Sequence, residues 1–430
     1  MIERPIYLEK LIERRDNGLV KVITGLRRCG KTYLLEVIYK EWLIQQGVPE
    51  DNILFIALDK DSNARYRNPL ILSEFIRDKI DSNDSRMYVM IDEIQKCVEI
   101  DNPYIPEDSR TSDNRIGFYD VALGLKDDCD LYITGSNSHL LSSDIITMFR
   151  GKGDLVRVYP LSFAEFHSAS KGDLREDWSE YLYHGGMPLV LSYKSQQSRD
   201  SYLKDLVTEV YIKDIQERFN IRDVDDLSTV MDIIASNIGS YTNAGKIADT
   251  FSKGGISRNT VQEYIGHFMD CFLIGEVKRF DVRGRRYVEG QRKYYYSDIG
   301  LRNARLNFRE MSRAKLIENA VYNELIIRGY DVDVGRIDVR RKDADGRSVN
   351  VTLEMDFIIN KGFERAYIQV AMGVDDEGKM EQETASLKRL KDGFAKILLI
   401  DSEVNQYVTE DGIRVISILE FMTDPDVLRF

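Results

Sequence analysis

The chain has 430 residues, of which 43% are hydrophobic and 31% charged, and its formal net charge is −12. This length predicts about two to four domains. No apolar run approaches the roughly 18 residues that a membrane-spanning helix needs, and the charged N-terminus lacks the apolar stretch of a signal peptide. We therefore expect a cytoplasmic protein without a membrane partner. The negative charge argues against wholesale coating of nucleic acid, although it is compatible with a local basic patch.

The first 165 residues alternate short strand-like runs with helical patterns, which is typical of a parallel α/β layer. A helix is predicted over residues 33–46, where apolar residues recur at helical spacing. A polar stretch over residues 99–115 contains two prolines and is predicted to be an insertion loop. The predicted strands cover residues 19–24, 52–58, 87–91, 131–134 and 155–159.

A phosphate-binding pattern, GxxxxGK[ST], follows the first predicted strand and opens the first predicted helix. Glycines let such a loop curl and bring several backbone N–H groups to a phosphate, and the helix N-terminus adds a positive end. Lys31 would reach the β- and γ-phosphates of ATP, and the Thr32 hydroxyl would coordinate Mg²⁺. Arg27 and Arg28 either add positive field or face solvent. The predicted nucleotide-binding residues are Gly25, Leu26, Arg27, Arg28, Cys29, Gly30, Lys31, Thr32 and Tyr33.

Two carboxylates end the third predicted strand, in the segment RMYVMIDE. The carboxyl end of a buried parallel strand lies at the ligand-binding edge of the sheet. Asp92 would hold Mg²⁺ together with Thr32, and Glu93 would orient and deprotonate the attacking water. An acidic turn after a strand is the alternative, but the upstream phosphate loop favours the catalytic interpretation.

Polar residues also follow the fourth predicted strand, in LYITGSNS. Ser136 or Asn137 would hydrogen-bond the γ-phosphate or the water; alternatively, these residues cap the following helix. Arg150 is a candidate for stabilising the transition state, in cis or as an arginine finger on a neighbouring subunit. A surface arginine in a loop is the alternative.

These segments resemble a family of bacterial and archaeal ATPases that join an AAA-type core to a C-terminal domain of unknown function 4143. The resemblance implies an ASCE-type P-loop fold and ATP hydrolysis, and it brings no substrate. The family carries a Gly-Arg pair before the residue equivalent to Pro160, whereas here Arg150-Gly151 stands in reversed order. The identity of the arginine finger therefore stays open. The matching segments lie at residues 20–32, 88–95, 132–142, 158–166, 181–188, 295–304 and 316–325.

The middle of the chain predicts a helical subdomain at residues 166–230 and a winged helix-turn-helix at residues 231–310. Ser257 is a good N-cap for the second helix of the latter, whose exposed start would be Arg258 and Asn259. A basic hairpin over residues 273–296 would be the wing. One interpretation is that these residues contact DNA. The alternative is that the winged helix packs on the ATPase or binds a protein partner. The wing arginines with candidate DNA contacts are Arg283, Arg285 and Arg286.

Residues 311–430 resemble a PD-(D/E)xK nuclease core, with Glu318, Asp356 and Gln369 at the metal-site positions. Such a site needs acidic metal ligands and a lysine. Gln369 is a weaker ligand than a carboxylate, and Ala371 stands where the lysine is expected. We therefore expect this nuclease-like domain to have lost catalysis.

The complete prediction is an α/β chain with a parallel P-loop sheet of the AAA type, a helical subdomain, a winged helix and a restriction-nuclease-like domain. An ATPase that uses ATP and Mg²⁺ to move domains engaging DNA or another macromolecule is the leading interpretation. The alternative is a nucleotide-gated interaction switch with slow hydrolysis, a protein partner and no nucleic acid. An active nuclease would need a lysine from outside the motif. A homo-oligomer is compatible with either leading interpretation.

Overall fold

The computed structural model describes residues 2–111, 114–135, 149, 151–251, 255–309, 311–342, 348–374 and 376–428, with the backbone alone for 341 and 342. The chain divides into two compact units, Met1–Tyr159 and Pro160–Phe430. The first boundary lies close to residue 165, where the ATPase core was expected to end. The expected further divisions at residues 230 and 310 stay predictions.

The first unit is built on a five-stranded, wholly parallel sheet. Its strands are β1 (Val20–Gly25), β2 (Ile53–Ala57), β3 (Tyr88–Asp92), β6 (Asp130–Thr134) and β7 (Gly153–Val158). They lie in the order β2-β3-β6-β1-β7. Every residue of β1, β3 and β6 is buried, as expected for central strands covered on both faces. The predicted parallel α/β layer is therefore confirmed.

Helices cover this sheet, and the first helix after β1 is continuous, with a π-helical middle. The stretch predicted to be an insertion loop carries a short antiparallel pair, β4 (Ile100–Asp101) with β5 (Arg115–Ile116). The described residues contain five short 3₁₀ segments, at Glu50–Asn52, Asp61–Arg67, Ile94–Lys96, Glu107–Ser109 and Pro188–Ser192. The helices are α1 (Pro5–Arg14), α2 (Lys31–Tyr33, Leu34–Tyr39 and Lys40–Gln45), α3 (Pro69–Asp81) and α4 (Phe118–Leu125).

The second unit opens with helices whose starts are set by polar caps. Ser162 Oγ accepts from Glu165 N at 3.2 Å, and Glu165 Oε2 accepts from Ser162 N at 2.9 Å, so a complete capping box begins the first of them. They are α5 (Phe163–Ser170), α6 (Leu174–His184), α7 (Gln196–Asp205, Leu206–Ile212 and Lys213–Phe219), α8 (Val224–Ser236), α9 (Ala244–Ala248), α10 (Arg258–Asp270), α11 (Ile299–Arg305) and α12 (Arg313–Ile327).

An eight-stranded mixed sheet forms the rest of this unit. Its strands are β8 (Ile274–Asp281), β9 (Arg286–Tyr296), β10 (Asp331–Lys342), β11 (Ser348–Lys361), β12 (Glu364–Ala371), β13 (Ala395–Ile400), β14 (Tyr407–Val408) and β15 (Ile413–Ser417). They lie in the order β14-β15-β13-β12-β11-β10-β8-β9. Helices α13 (Glu377–Lys388) and α14 (Ile418–Thr423) accompany the sheet. Among the described residues, no helix combines the length and apolar character that crossing a bilayer requires.

The hairpin that was predicted to be a wing is joined to this sheet. Strand β8 pairs in parallel with β10, with Val334 opposite Arg279 and Gly335 opposite Phe280. Val334 is buried where β10 meets the hairpin, and burial of this apolar side chain favours the attachment. The hairpin therefore belongs to the same sheet as the strands that follow residue 310. The winged-helix assignment itself is not confirmed.

Candidate functional site

The phosphate loop joins β1 to α2 through three residues with positive φ. Gly25 has φ 139°, Arg28 63° and Gly30 101°. A Cβ on Gly25 would lie 2.0 Å from the carbonyl oxygen of Val158, so glycine alone fits where β1 ends beside β7. The curl that a phosphate cradle requires is therefore present in this loop.

The Lys31 side chain is buried and crosses the loop. Its Nζ donates to the carbonyl oxygens of Gly25 and Leu26, at 3.0 Å each. Two neutral carbonyl groups do not balance the positive charge of the ammonium. Hydrogen bonds from the ammonium to a charged phosphate would be stronger than those to the carbonyls. The geometry suits an anion placed against this loop.

The side chains next to Lys31 divide between packing and solvent. Cys29 is buried and its thiol donates to the Val158 carbonyl at 3.4 Å. Arg28 is exposed and Arg27 is half-buried, so of the two predicted alternatives Arg28 fits the solvent-facing one.

Thr32 and Asp92 meet at the carboxyl edge of the sheet. Thr32 Oγ1 donates to Asp92 Oδ2 at 2.8 Å, and the Thr134 hydroxyl donates to Asp92 Oδ1. Burial raises the pKa of Asp92, the two hydroxyl bonds lower it, and the nearby Glu93 charge raises it. Thr134 was not singled out from sequence, although its place at the end of the neighbouring strand β6 was a usable signal.

These oxygen donors fit Mg²⁺. One carboxylate and one hydroxyl are typical protein ligands for this ion, which takes its remaining ligands from water and substrate phosphates. Among the described residues, no group of three Asp, Glu, His or Cys side chains is arranged to hold a metal. Thr32 and Asp92 would hold the ion, and its charge would stabilise the Asp92 carboxylate despite burial.

Glu93 adopts an unusual backbone conformation directly after β3. Its φ of 57° lies in the left-handed region, which costs a non-glycine residue about 1–3 kcal/mol and is concentrated at functional sites. The Gln95 amide donates to the Glu93 carboxylate. Gln95 was missed by sequence analysis because a glutamine in a turn carries no pattern of its own.

Arg4 braces the outer side of the loop. Its guanidinium is buried and donates to the carbonyl oxygens of Cys29 at 3.1 Å and Tyr159 at 2.7 Å. The Tyr33 hydroxyl accepts from Ile2 N at 3.3 Å. The N-terminal segment therefore supports the loop and the start of α2, a contact that no local sequence signal announces. The candidates Ser136, Asn137 and Arg150 lie outside the described residues, and their roles stay predictions.

The DNA-contact candidates are exposed. Arg258 and Asn259 begin α10. Arg283 and Arg285 lie in the turn of the hairpin, and Arg286 is the first residue of β9. Arg283 Nη1 donates to the Asp338 carbonyl at 3.2 Å, which ties the hairpin turn to β10. Exposure makes these residues available to a polyanion.

The nuclease-like candidates are brought together in the second unit. Asp356 Oδ2 accepts at 2.8 Å from the backbone N of Val370, the residue after Gln369 on β12. Burial, and then the Glu318 charge, raise the pKa of Asp356 to about 8. Glu318 lies 2.9 Å from the buried Lys293 Nζ.

Two of the segments that carry the family resemblance, residues 181–188 and 295–304, contact each other. The Asp298 carboxylate accepts from Gly186 N at 2.7 Å and Leu301 N at 2.9 Å. A Cβ on Gly300 would lie 1.9 Å from the His184 carbonyl oxygen. Residues 181–188 and 295–304 therefore pack against each other through these backbone contacts.

Comparison with known proteins gives two family matches and two curated relatives. An AAA domain model matches residues 17–167, and a model described as domain of unknown function 8612 matches residues 175–312, where the resemblance had implied domain 4143. An uncharacterized protein of Haemophilus influenzae is 32% identical over 98% of this chain and 98% of its own length. An uncharacterized protein of Methanocaldococcus jannaschii is 26% identical, covering 94% of this chain and 88% of its own.

A solved structure of the Aeropyrum pernix ORC1 protein in complex with DNA also matches. It is 14% identical and covers 71% of this chain and 92% of its own, with a TM-score of 0.27. The chain belongs to the family of the Haemophilus influenzae protein, and its N-terminal part is an AAA-type P-loop domain.

Proposed function

We propose that this chain is a Mg²⁺-dependent ATPase that hydrolyses the β–γ phosphoanhydride of ATP. The observation that carries the proposal is the hydrogen bond of 2.8 Å between Thr32 and Asp92, beside a loop crossed by the Lys31 ammonium. Phosphoryl transfer needs positioning and charge stabilisation above all. A hydroxyl, a carboxylate and an ammonium at one sheet edge supply both.

Each residue has a distinct part in this proposal. Lys31 contacts the β- and γ-phosphates, and Thr32 with Asp92 holds the ion that neutralises their charge. Glu93 orients a water whose oxygen attacks the γ-phosphorus, and it takes the proton that the water loses. The bond from the γ-phosphorus to the bridging oxygen breaks, and ADP leaves with that oxygen. Asn137 and Arg150 are proposed to contact the γ-phosphate and its transition-state charge.

We further propose that hydrolysis moves C-terminal elements that engage DNA. The exposed arginines of the hairpin support this part of the proposal, because clustered guanidinium groups bind backbone phosphates. The overall charge of −12 confines such binding to local patches.

A second candidate function is a slow, nucleotide-gated switch that binds a protein partner. The hydrogen bond from Gln95 to Glu93 favours it, since the amide competes with the attacking water for the Glu93 carboxylate. On this account, removal of the amide in Gln95→Ala raises basal turnover. In the leading account, the same variant lowers turnover or leaves it unchanged.

The test of catalysis is Glu93→Gln, with Glu41→Gln on the exposed side of α2 as the matched control. The Glu93 variant should keep ATP affinity and lose turnover by about 100-fold or more, the usual contribution of a general base. The control should turn over normally. Normal turnover in Glu93→Gln would remove Glu93 from the mechanism.

DNA stimulation separates the two candidate functions. Turnover measured with and without duplex DNA, across salt and protein concentrations, should rise with DNA and lose that stimulation steeply as salt increases. Turnover that depends on protein concentration would identify an oligomer with a shared site. Turnover unchanged by DNA at every salt concentration would favour the protein-binding switch.

A further inference from the structure

A polar cavity of about 310 Å³ lies in the second unit, beyond the carboxyl ends of two parallel strands. Strand β13 ends at Ile400, which pairs with Ser417 at the end of β15. Residues 401–403, which follow β13, line the cavity together with Ser417. In open α/β sheets, ligands bind in the crevice outside the carboxyl ends of the strands, and this volume is large enough for a small molecule.

Two arginines from different helices line this cavity and supply hydrogen-bond donors. Arg313, the first residue of α12, donates through Nε to Asp401 Oδ2 at 2.8 Å and through Nη2 to Asp401 Oδ1 at 3.3 Å. Arg175, in the first turn of α6, forms an ion pair with Glu403 through Nη2. A guanidinium group has five N–H donors, so these contacts leave most of the donors of both arginines for water or a ligand.

The hydroxyl of Ser417 is a further polar group at the cavity wall. Ser417 is 8% exposed and occupies the N-cap position of α14, where a serine side chain normally accepts a bond from the helix backbone. Here its side chain makes no capping bond, and it bonds to no other described residue. A buried polar group without a protein partner is costly unless water or a ligand supplies one. The Ser417 hydroxyl is therefore available to a group inside the cavity.

The two carboxylates of the cavity are held very differently. The Asp401 side chain is 10% exposed and also accepts from Trp178 Nε1 at 3.3 Å, so it is fixed and keeps Arg313 in place. The side chains of Arg175 and Glu403 are 62% and 74% exposed. An ion pair exposed to this extent is weak, because water screens the charges and solvates both partners. A competing anion can therefore displace Glu403 from Arg175, whereas the Arg313–Asp401 pair stays.

We propose that this cavity binds a small anionic molecule, whose carboxylate or phosphate group replaces Glu403 on Arg175 and contacts the Ser417 hydroxyl. Once Glu403 has moved into solvent, two guanidinium groups face the single carboxylate of Asp401, which leaves an excess of positive charge. The planar guanidinium fork matches the oxygen spacing of carboxylates and phosphates. Charge and geometry therefore both favour an oxyanion.

The experiment follows the fluorescence of Trp178, which lines the cavity. The chain has two tryptophans, so Trp42→Phe leaves Trp178 as the single reporter and serves as the parent chain. Sodium phosphate, glycerol phosphate and sodium acetate are titrated separately, with sodium chloride at equal ionic strength as the blank. At least one of the three oxyanions should change the emission saturably, and the active compound identifies phosphate or carboxylate as the bound group. Chloride should cause no saturable change.

The phosphate loop of the first unit needs a control of its own, because it is expected to attract phosphate too. The titration is therefore repeated with Lys31→Ala added to the parent chain. The affinity reported by Trp178 should stay the same. Since ATP is absent, the outcome does not depend on whether the chain binds or hydrolyses ATP.

Two variants of the exposed ion pair should act in opposite directions. Arg175→Gln should weaken oxyanion binding by about 10-fold or more, because hydrogen bonds from a charged group are lost. Glu403→Gln should tighten binding by about 5-fold, since the competing carboxylate is removed. Arg77→Gln and Asp128→Asn are the matched controls, because they alter the partners of an exposed ion pair of 2.9 Å in the first unit. Both controls should bind like the parent chain.

Three results would overturn the proposal. The first is a parent chain whose Trp178 emission responds to none of the three oxyanions. The second is unchanged affinity in Arg175→Gln or in Glu403→Gln. The third is loss of the response in Lys31→Ala, which would assign the bound phosphate to the loop of residues 25–32.

Discussion

Gly25 occupies the tightest position of the phosphate loop. Its φ is 139°, and the Val158 carbonyl oxygen lies 2.0 Å from the position that a Cβ would occupy, which leaves no room for a side chain. Gly18 also has a positive φ, 72°, but nothing lies within 4 Å of its Cβ position. Comparing Gly25 with Gly18 therefore distinguishes the cost of backbone strain from the cost of a steric collision.

Gly25→Ala should cost about 3 kcal/mol of unfolding free energy, because strain and collision add. Gly18→Ala should cost about 1 kcal/mol, since only the left-handed backbone is penalised. Urea unfolding of the two variants measures both. Equal losses in the two variants would show that the Val158 carbonyl does not constrain the loop.

Local pattern was sufficient to find Lys31, Thr32 and Asp92, which the structure brings to one edge of the sheet. Each belongs to a motif whose chemistry is confined to a few consecutive residues. Arg4 and Lys293 could not be found this way, because their partners lie on segments distant in sequence. The catalytic roles of the predicted residues stay predictions.

At the scale of elements, Asp298 joins α11 to the glycine pair that follows α6. Burial raises its pKa to about 6, although the backbone N–H groups of Leu301, Gly186 and Gly300 act to lower it. A raised pKa means that the folded chain binds the proton more tightly than the unfolded chain. The stability that protonated Asp298 contributes is therefore complete below pH 3.8 and is lost as the pH rises through about 6.

Asp298→Asn should flatten the pH dependence of unfolding. Between pH 4 and pH 7, the wild-type chain should lose up to about 3 kcal/mol more than the variant, which corresponds to the two-unit shift. Urea unfolding followed by the fluorescence of the buried Trp178 measures this difference. Asp173→Asn is the opposite-sign control, because hydrogen bonds from the backbone of Glu176 and Arg175 lower the pKa of Asp173. Identical slopes for the wild-type and Asp298 chains would contradict the assignment.

The hairpin of β8 and β9 was predictable as a unit, whereas its place in the sheet was not. Alternating polar and apolar residues around the arginine-rich turn indicate two strands locally. Pairing of β8 with β10 joins residues more than fifty positions apart, Arg279 with Val334, and no local pattern encodes that register.

If the hairpin binds DNA, Arg285→Ala with Arg286→Ala should weaken binding and reduce the slope of log affinity against log salt by about 2. Fluorescence anisotropy with a labelled duplex across a salt series measures both the affinity and this slope. Arg389→Ala with Lys391→Ala removes the same charge from an exposed site elsewhere in the second unit, and it should leave the slope unchanged. Equal effects of the two double variants would indicate a net-charge effect only.

For the whole molecule, four domains were predicted and two compact units are observed. The first unit was predictable because a parallel α/β layer repeats strand and helix signals in order. The second unit was less predictable, because its sheet contains strands from before and after residue 310. The sheet therefore crosses the predicted boundary. The family relationship with the Haemophilus influenzae protein spans both units.

The central claim is that Mg²⁺-ATP binds at the loop of residues 25–32. Isothermal titration calorimetry of Mg²⁺-ATP into the wild-type chain, Lys31→Ala and Lys40→Ala tests it most directly. We expect tight binding by the wild-type chain and by the Lys40 variant, and a Kd raised by about 100-fold in Lys31→Ala, because a buried charge-assisted contact is lost. Absence of binding by the wild-type chain, or equal affinity in Lys31→Ala, would contradict the account.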